Sequence, residues 1–337
     1  TLTLTLCALG SGPARLLPRL HSARLAGSGQ RGTPWKRPAL WAPRQRLAAR
    51  ARARRSNPAM PRAQCGDSAG GDGKRQGVAA DAKIDLEAFI DKAYGMCLDG
   101  IDLHTRAFAS TEPDYLRDIR MRCLRRGLAI SYIGVSNNFG RPLDELPEVV
   151  QDVKDWIDIA EFMGIPLLRV FAAWVPEGED REDVWNRMIP CFQEVAAYGQ
   201  EKGIVLGLHN HNHGCITGTG EEVLRILDEV DNPYLSHILD TGQYLGSPGS
   251  SGQRGTEDPS YNFYGSIEKT APRAVHVRAK IYRIATGEEK WLDYPRIFEI
   301  LKGVGYNGWV SMVFEGQDEE EEETAVPKAI DYLRKFM

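Results

Sequence analysis

Ile204-Val-Leu-Gly-Leu-His-Asn-His-Asn-His-Gly214 opens as a short apolar run, the pattern of a strand buried on both faces, and then delivers His209, His211 and His213 as that run ends. Side chains two apart on a strand point the same way, so His209 and His211 share one interior. Three later runs also finish on a polar ligand type: Ile238-Leu-Asp240, Ala274-Val-His276 and Val310-Ser-Met-Val-Phe-Glu315. One His, one Asp, one His and one Glu at successive strand ends form the donor set of a divalent metal centre, so His209, Asp240, His276 and Glu315 are the expected metal ligands.

Outward from these runs, strand-like and helix-like segments alternate. Amphipathic helices are expected at 86–95, 114–126, 147–163, 181–202, 220–230, 294–303 and 324–336, with a short one near 264–270. Strands are expected at 100–104, 128–135, 166–171, 204–209, 235–240, 274–279 and 309–315. Such alternation gives a parallel sheet with outer helices, either open and doubly wound or closed as a barrel. No Gly-x-Gly-x-x-Gly follows a strand, which weakens the dinucleotide-binding form. Ligand types at the strand ends favour a (β/α)8 TIM barrel over residues 84–337. Only seven strands are evident. The missing one is the first, due just before Leu86, where Gly77-Val-Ala-Ala80 is weak.

Charge divides the chain. Residues 1–66 hold 13 of the 42 Lys and Arg and no Asp or Glu, leaving 29 basic against 46 acidic residues in the remainder. The segment reads either as an organelle transit peptide or as translated upstream sequence with Met60 near the true start, disordered in both cases. Residues 67–83 read as a linker. The preferred account of the absent strand is an N-terminus that replaces the authentic one. A body this acidic repels polyphosphate, so no nucleic-acid partner is expected, and no apolar run is long enough for a bilayer. Six scattered cysteines without a Cys-x-x-Cys pair fit a reducing compartment. The expected location is cytoplasmic, or mitochondrial or plastid if the leader is genuine. A homo-oligomer is left open.

The segments Asp99-Gly-Ile-Asp-Leu-His104, Leu206-Gly-Leu-His-Asn-His211, Ile238-Leu-Asp-Thr-Gly-Gln243, Val275-His-Val-Arg-Ala-Lys280 and Gly305-Tyr-Asn-Gly-Trp-Val-Ser-Met-Val-Phe-Glu-Gly316 carry a resemblance. The body resembles the xylose isomerase-like barrels of the sugar phosphate isomerase/epimerase superfamily. The resemblance implies one divalent metal held by four consecutive late strands, usually through Glu, Asp, His and Glu. Asp240, His276 and Glu315 match the last three. His209 stands where the first Glu falls, and His211 matches the His of the common Glu-Asn-His. The implied chemistry is proton transfer beside a carbonyl through an enediolate, with Glu315 and His209 as the catalytic pair. Imidazole titrates near neutrality, so His209 is a feasible replacement. A His/Asp/His/Glu set is softer than the usual one and favours Zn or Mn over Mg.

Each residue has a structural alternative. Asp240 in Asp-Thr-Gly suits a turn, His276 suits a core histidine, Glu315 suits solvent, and His213 reads as a solvated loop residue. Further substrate-binding candidates are His104, Arg169, Trp174, His211, Gln243, Arg278 and Lys280; Arg169 and Lys280 have readings as an internal ion pair and a surface cation. Six acids, Asp318 to Glu323, suit a helix start and disfavour a phosphorylated substrate. The leading reading is a metal-dependent isomerase or epimerase of a small sugar, cyclitol or related hydroxy-carbonyl compound. A dehydratase on the same fold and a non-catalytic sugar-binding barrel stand beside it. A multi-zinc DNA-repair endonuclease of the superfamily is disfavoured by the acidic body.

Overall fold

The computed structural model describes residues 3–7, 84–250 and 254–337. Eight strands close into a barrel in chain order. After β1 (Thr3–Cys7) come α1 (Leu86–Gly95), β2 (Gly100–His104), α2 (Pro113–Arg126), β3 (Ala129–Gly134), α3 (Leu146–Met163), β4 (Leu167–Val170) and α4 (Arg181–Lys202). The second half runs β5 (Val205–His209), α5 (Gly220–Val230), β6 (Leu235–Asp240), α6 (Phe263–Thr270), β7 (Ala274–Ile281), α7 (Tyr294–Gly303), β8 (Trp309–Phe314) and α8 (Glu322–Leu333). Strands β2 to β8 are parallel, as their alternation with helices requires.

The gap left by the missing first strand is filled from the leader. β1 pairs antiparallel with both β2 and β8, Leu4 lying opposite Ile101 on one side and Met312 on the other. This corrects the expectation that residues 1–66 are disordered throughout. The Thr-Leu alternation of Thr1–Leu6 has the two-residue period of a strand, and an unpaired β2 and β8 would otherwise expose two sheet edges. The remaining leader and the expected linker 67–83 lie outside the described residues.

Alternation on each strand sorts the side chains. Ile101, Leu103, Leu168, Val170, Leu206, Leu208, Val277, Ala279, Val310 and Met312 face outward and pack with buried helix residues such as Val153, Ile157, Phe192, Ile226 and Ile297. Tyr132, Leu167 and Ile238, with Val205 against them, form a separate small cluster inside the barrel. The other inward positions of the described strands are largely polar: Asp102, Arg169, His209, Asp240, His276, Arg278, Lys280 and Ser311 are all buried or nearly so. Water is thus excluded from a set of charges that must satisfy one another.

Candidate active site at the mouth of the barrel

Asparagine braces finish the strands that carry the site. Asn210, just past β5, accepts the Asp240 N–H at 2.8 Å and donates to the Asp240 carbonyl at 2.9 Å, so its amide extends the sheet by one rung. Asn137 does the same for Phe171 beyond β4. Asp240 is therefore fixed at backbone level before its carboxylate is used.

That carboxylate is fully buried. Its Oδ1 accepts the Gly242 N–H at 3.0 Å. Its Oδ2 lies 3.2 Å from Arg278 Nη1, 3.4 Å from Lys280 Nζ and 3.3 Å from His209 Nε2. Burial alone would raise the Asp240 pKa, but Lys280 and Arg278 outweigh it and hold the carboxyl well below the usual carboxylate range. Lys280 Nζ also bonds Glu315 Oε1 at 2.7 Å. Glu315 keeps 39% of its side chain in solvent, so it forms the accessible rim of a cluster whose floor is dry.

His209 holds its place differently. Arg278 Nη1 donates to its Nε2 at 2.8 Å. A guanidinium only donates, so Nε2 accepts, Nδ1 carries the proton, and the approach to Asp240 is not a hydrogen bond. Burial drives the His209 pKa well below its ordinary value, with Arg278 and Arg169 adding to the effect, so the ring is neutral. Its buried Nδ1 has no partner among the described residues.

His276 is placed elsewhere. β7 does not end at the histidine but runs on to Ile281. His276 lies opposite Ile238 and Trp309, two residues below the Asp240–Arg278 pair. Its Nε2 bonds Ser311 Oγ at 3.0 Å and its ring meets Tyr132 edge-on at 4.8 Å. Trp309 is six residues before Glu315, about 20 Å along a strand. Among the described residues no three His, Cys, Asp or Glu side chains are grouped to hold a metal ion. The expected set thus separates: His209, Asp240 and Glu315 gather around Arg278 and Lys280, while His276 is a core histidine, its pKa lowered to about 3 by burial and then by Arg278.

The remaining candidates divide between wall and frame. Phe171, Trp174 and His211 form an aromatic wall beside His209, with ring centroids 5.1 to 5.7 Å apart. Trp174 is fixed by its indole N–H on the His213 carbonyl at 2.9 Å. His211 Nδ1 accepts the His213 N–H at 3.2 Å, and burial lowers its pKa to about 4. His213 itself is exposed, as its loop reading required. Gln243 is buried, and its Oε1 has no partner among the described residues, nor has Asn212 Oδ1, whose amide reaches the Gly242 carbonyl. Arg169 lies over Phe171, its Cζ 4.4 Å from the ring centroid, and burial draws its pKa down to about 10. Gly134 makes room for it, since a Cβ there would stand 2.6 Å from the guanidinium. His104 is a frame residue. Its Nδ1 accepts the Arg106 N–H at 3.2 Å, its Nε2 lies 3.1 Å from Ser136 Oγ, and burial, then Arg169, push its pKa to about 3. A cleft of about 350 Å³ lined by Asn138, Arg141, Trp174 and Glu179 opens beside this wall.

Sequence reasoning passed over Asp102, Tyr132, Asn210 and Ser311. Asp102 and Ser311 were detectable by parity, two before His104 and four before Glu315. Asn210 points out of that parity, and its only signal was its place as the Asn of the common Glu-Asn-His. The acidic run is partly neutralised, because Arg283 grips Asp318 through two bonds and reaches Glu319 at 2.7 Å. No helix among the described residues is long and apolar enough to cross a membrane.

The family model of the xylose isomerase-like TIM barrel matches residues 91–336. The chain belongs to that family. Inosose dehydratase from Bacillus thuringiensis (strain Al Hakam) is 24% identical over 176 residues, covering 46% of this chain and 53% of that protein. The chain thus spans about half the length of the curated relatives it matches. Among solved structures, a D-psicose 3-epimerase from Clostridium cellulolyticum H10, determined with D-tagatose, superposes with a TM-score of 0.62 at 16% identity over 75% of this chain and 94% of that one. A xylose isomerase-like TIM barrel protein from Mycobacterium smegmatis in complex with magnesium gives 0.55 at 16% identity, over 77% and 92%.

A divalent metal of the kind seen in that magnesium complex does not fit the side chains of this family member. The Nε2 lone pair of His209 is taken by Arg278, Asp240 and Glu315 are bridged by Lys280, and His276 lies below.

Proposed function

We propose that the barrel mouth moves a proton at the carbon beside a carbonyl of a small polyhydroxy compound, as an isomerase or epimerase does. The observation that carries this reading is one rim carboxylate, Glu315, set 2.7 Å from an ammonium whose other partner is the buried Asp240. Glu315 is placed to take the proton. Lys280 and Arg278 are placed to receive the negative charge that develops on the substrate oxygens, in a site from which water is largely excluded. The neutral His209 offers its Nδ1–H as a donor. With Nδ1 engaged, neutral His211 carries its proton on Nε2 and offers that. Gln243 Oε1 and Asn212 Oδ1 accept from hydroxyls. Phe171 and Trp174 supply an apolar face for the C–H side of a sugar or cyclitol ring.

The likeness to inosose dehydratase favours a second outcome from the same first step. Glu315 takes the proton, the C–H electrons form a C=C bond, and the neighbouring hydroxyl departs as water with a proton from Lys280. Incubation in heavy water with a panel of ketoses and cyclitols tests both. Deuterium incorporation without loss of mass supports the isomerase reading, and loss of one water supports the lyase. Sugar binding with neither leaves a binding barrel and ends the catalytic proposal.

A further inference from the structure

We infer that Lys280 and Arg278 replace the divalent cation, so that this site works with two built-in positive charges and takes up no metal. Three observations converge. The first is occupancy: the donors a metal would need are already bonded, Glu315 and Asp240 to Lys280 Nζ, and His209 and Asp240 to Arg278 Nη1. The second is charge. On the described strands and their ends the interior holds Arg169, Arg278 and Lys280 against Asp102, Asp240 and Glu315. Three cations face three carboxylates, and two further positive charges would leave the cluster unbalanced in a dry interior.

The third is construction. Lys280 is not a surface lysine that happens to reach inward. Its side chain is 2% exposed. Its N–H is held by Thr241 Oγ1 at 2.9 Å and its carbonyl by the Tyr294 hydroxyl at 2.6 Å. Its stem runs past Gly242, where a Cβ would stand 2.7 Å from Lys280 Cγ. The ammonium is thus delivered by a strand whose alternation places residues 276, 278 and 280 inward, with Lys280 at the height of the mouth. A fixed ammonium and guanidinium can stabilise an enediolate oxygen as a bound cation does.

The replacement stands on geometry, and only what the cations act on rests on the proton-transfer reading. The test uses the full chain, dialysed against EDTA and then titrated with Zn²⁺, Mn²⁺ and Mg²⁺ by calorimetry, with metal content read by mass spectrometry. Wild type is expected to retain well under one metal per chain. Its Tm should stay within about 1 °C at millimolar metal, where a ligand at 100 times its Kd would raise it by several degrees. Lys280→Met frees Asp240 and Glu315 from their shared ammonium and should gain affinity for Mn²⁺ or Zn²⁺ by about tenfold or more. Lys280→Arg keeps the positive charge and should take up no more metal than wild type, and if Lys280→Met does not fold, metal retained by wild type or Lys280→Arg overturns the inference.

One equivalent of metal retained by wild type and lost in Asp240→Asn would overturn the inference, as would equal metal affinity in wild type and Lys280→Met. The two readings fail separately. Deuterium exchange that stops in EDTA and returns with metal removes this inference and keeps proton transfer. A chain that neither binds metal nor exchanges deuterium does the reverse.

Discussion

Removing the charge of Asp240 while keeping its shape should destabilise the barrel strongly. The Asp240→Asn side chain still accepts the Gly242 N–H through Oδ1 and is braced by Asn210 as before, so backbone geometry is held constant. What changes is the surroundings of Arg278 Nη1 and Lys280 Nζ, at 3.2 and 3.4 Å from the lost charge. At an effective dielectric of about 20, each such pair is worth about 5 kcal/mol of Coulomb attraction. Part of this is offset because the buried carboxylate no longer has to be stripped of water. Breaking a buried pair on one side leaves a net cost of about 3–5 kcal/mol. For a barrel of this size that lowers Tm by roughly 10 °C. Urea unfolding followed by far-UV circular dichroism reads the loss. Lys280→Met and the double variant complete a cycle with an expected coupling of about 1–3 kcal/mol. A loss below about 1 kcal/mol in Asp240→Asn, or strict additivity with Lys280→Met, would refute the buried charge cluster.

Asn210→Ala deletes both rungs that fix the end of β6 and should cost about 2 kcal/mol in the same urea assay. Gly134→Ala forces a methyl against the Arg169 guanidinium and should cost about 1–3 kcal/mol, read the same way; wild-type stability would show that Arg169 is free to move. Acid should weaken the fold through His237, which is buried outside the mouth between the Leu208 carbonyl and the Tyr244 hydroxyl, its pKa pushed down to about 4 by burial. Between 6.5 and 4 the unfolded chain takes up a proton that the folded chain refuses, so stability falls as pH falls. His237 accounts for about 2 kcal/mol of the loss from pH 7 to pH 5. Urea midpoints at both values should differ less in His237→Gln than in wild type.

Most of the architecture is legible in the sequence. Helices expected at 114–126, 147–163 and 181–202 form at Pro113–Arg126, Leu146–Met163 and Arg181–Lys202. Their apolar stripes recur with the helical period, and a glycine follows each last turn. The first strand escaped because it was sought before Leu86 as a parallel partner. The chain supplies it from Thr3–Cys7, antiparallel, and local pattern contains no information about which distant segment closes a ring.

Which face of a strand a residue takes is readable from periodicity, because side-chain direction alternates with every residue and is a local property of the strand. His209, Asp240, His276, Arg278, Lys280 and Ser311 all face inward for that reason. Height along the barrel is not local. A displacement of two residues keeps every side chain on its face, so no hydrophobic pattern can detect it. It is set only by the pairing of β7 with β6 and β8, which puts Arg278 beside Asp240, lifts Lys280 to the mouth and leaves His276 below. An expected ring of ligands thereby became a cluster of opposite charges, and tertiary structure decided this because strand register is a property of neighbouring strands rather than of any one of them.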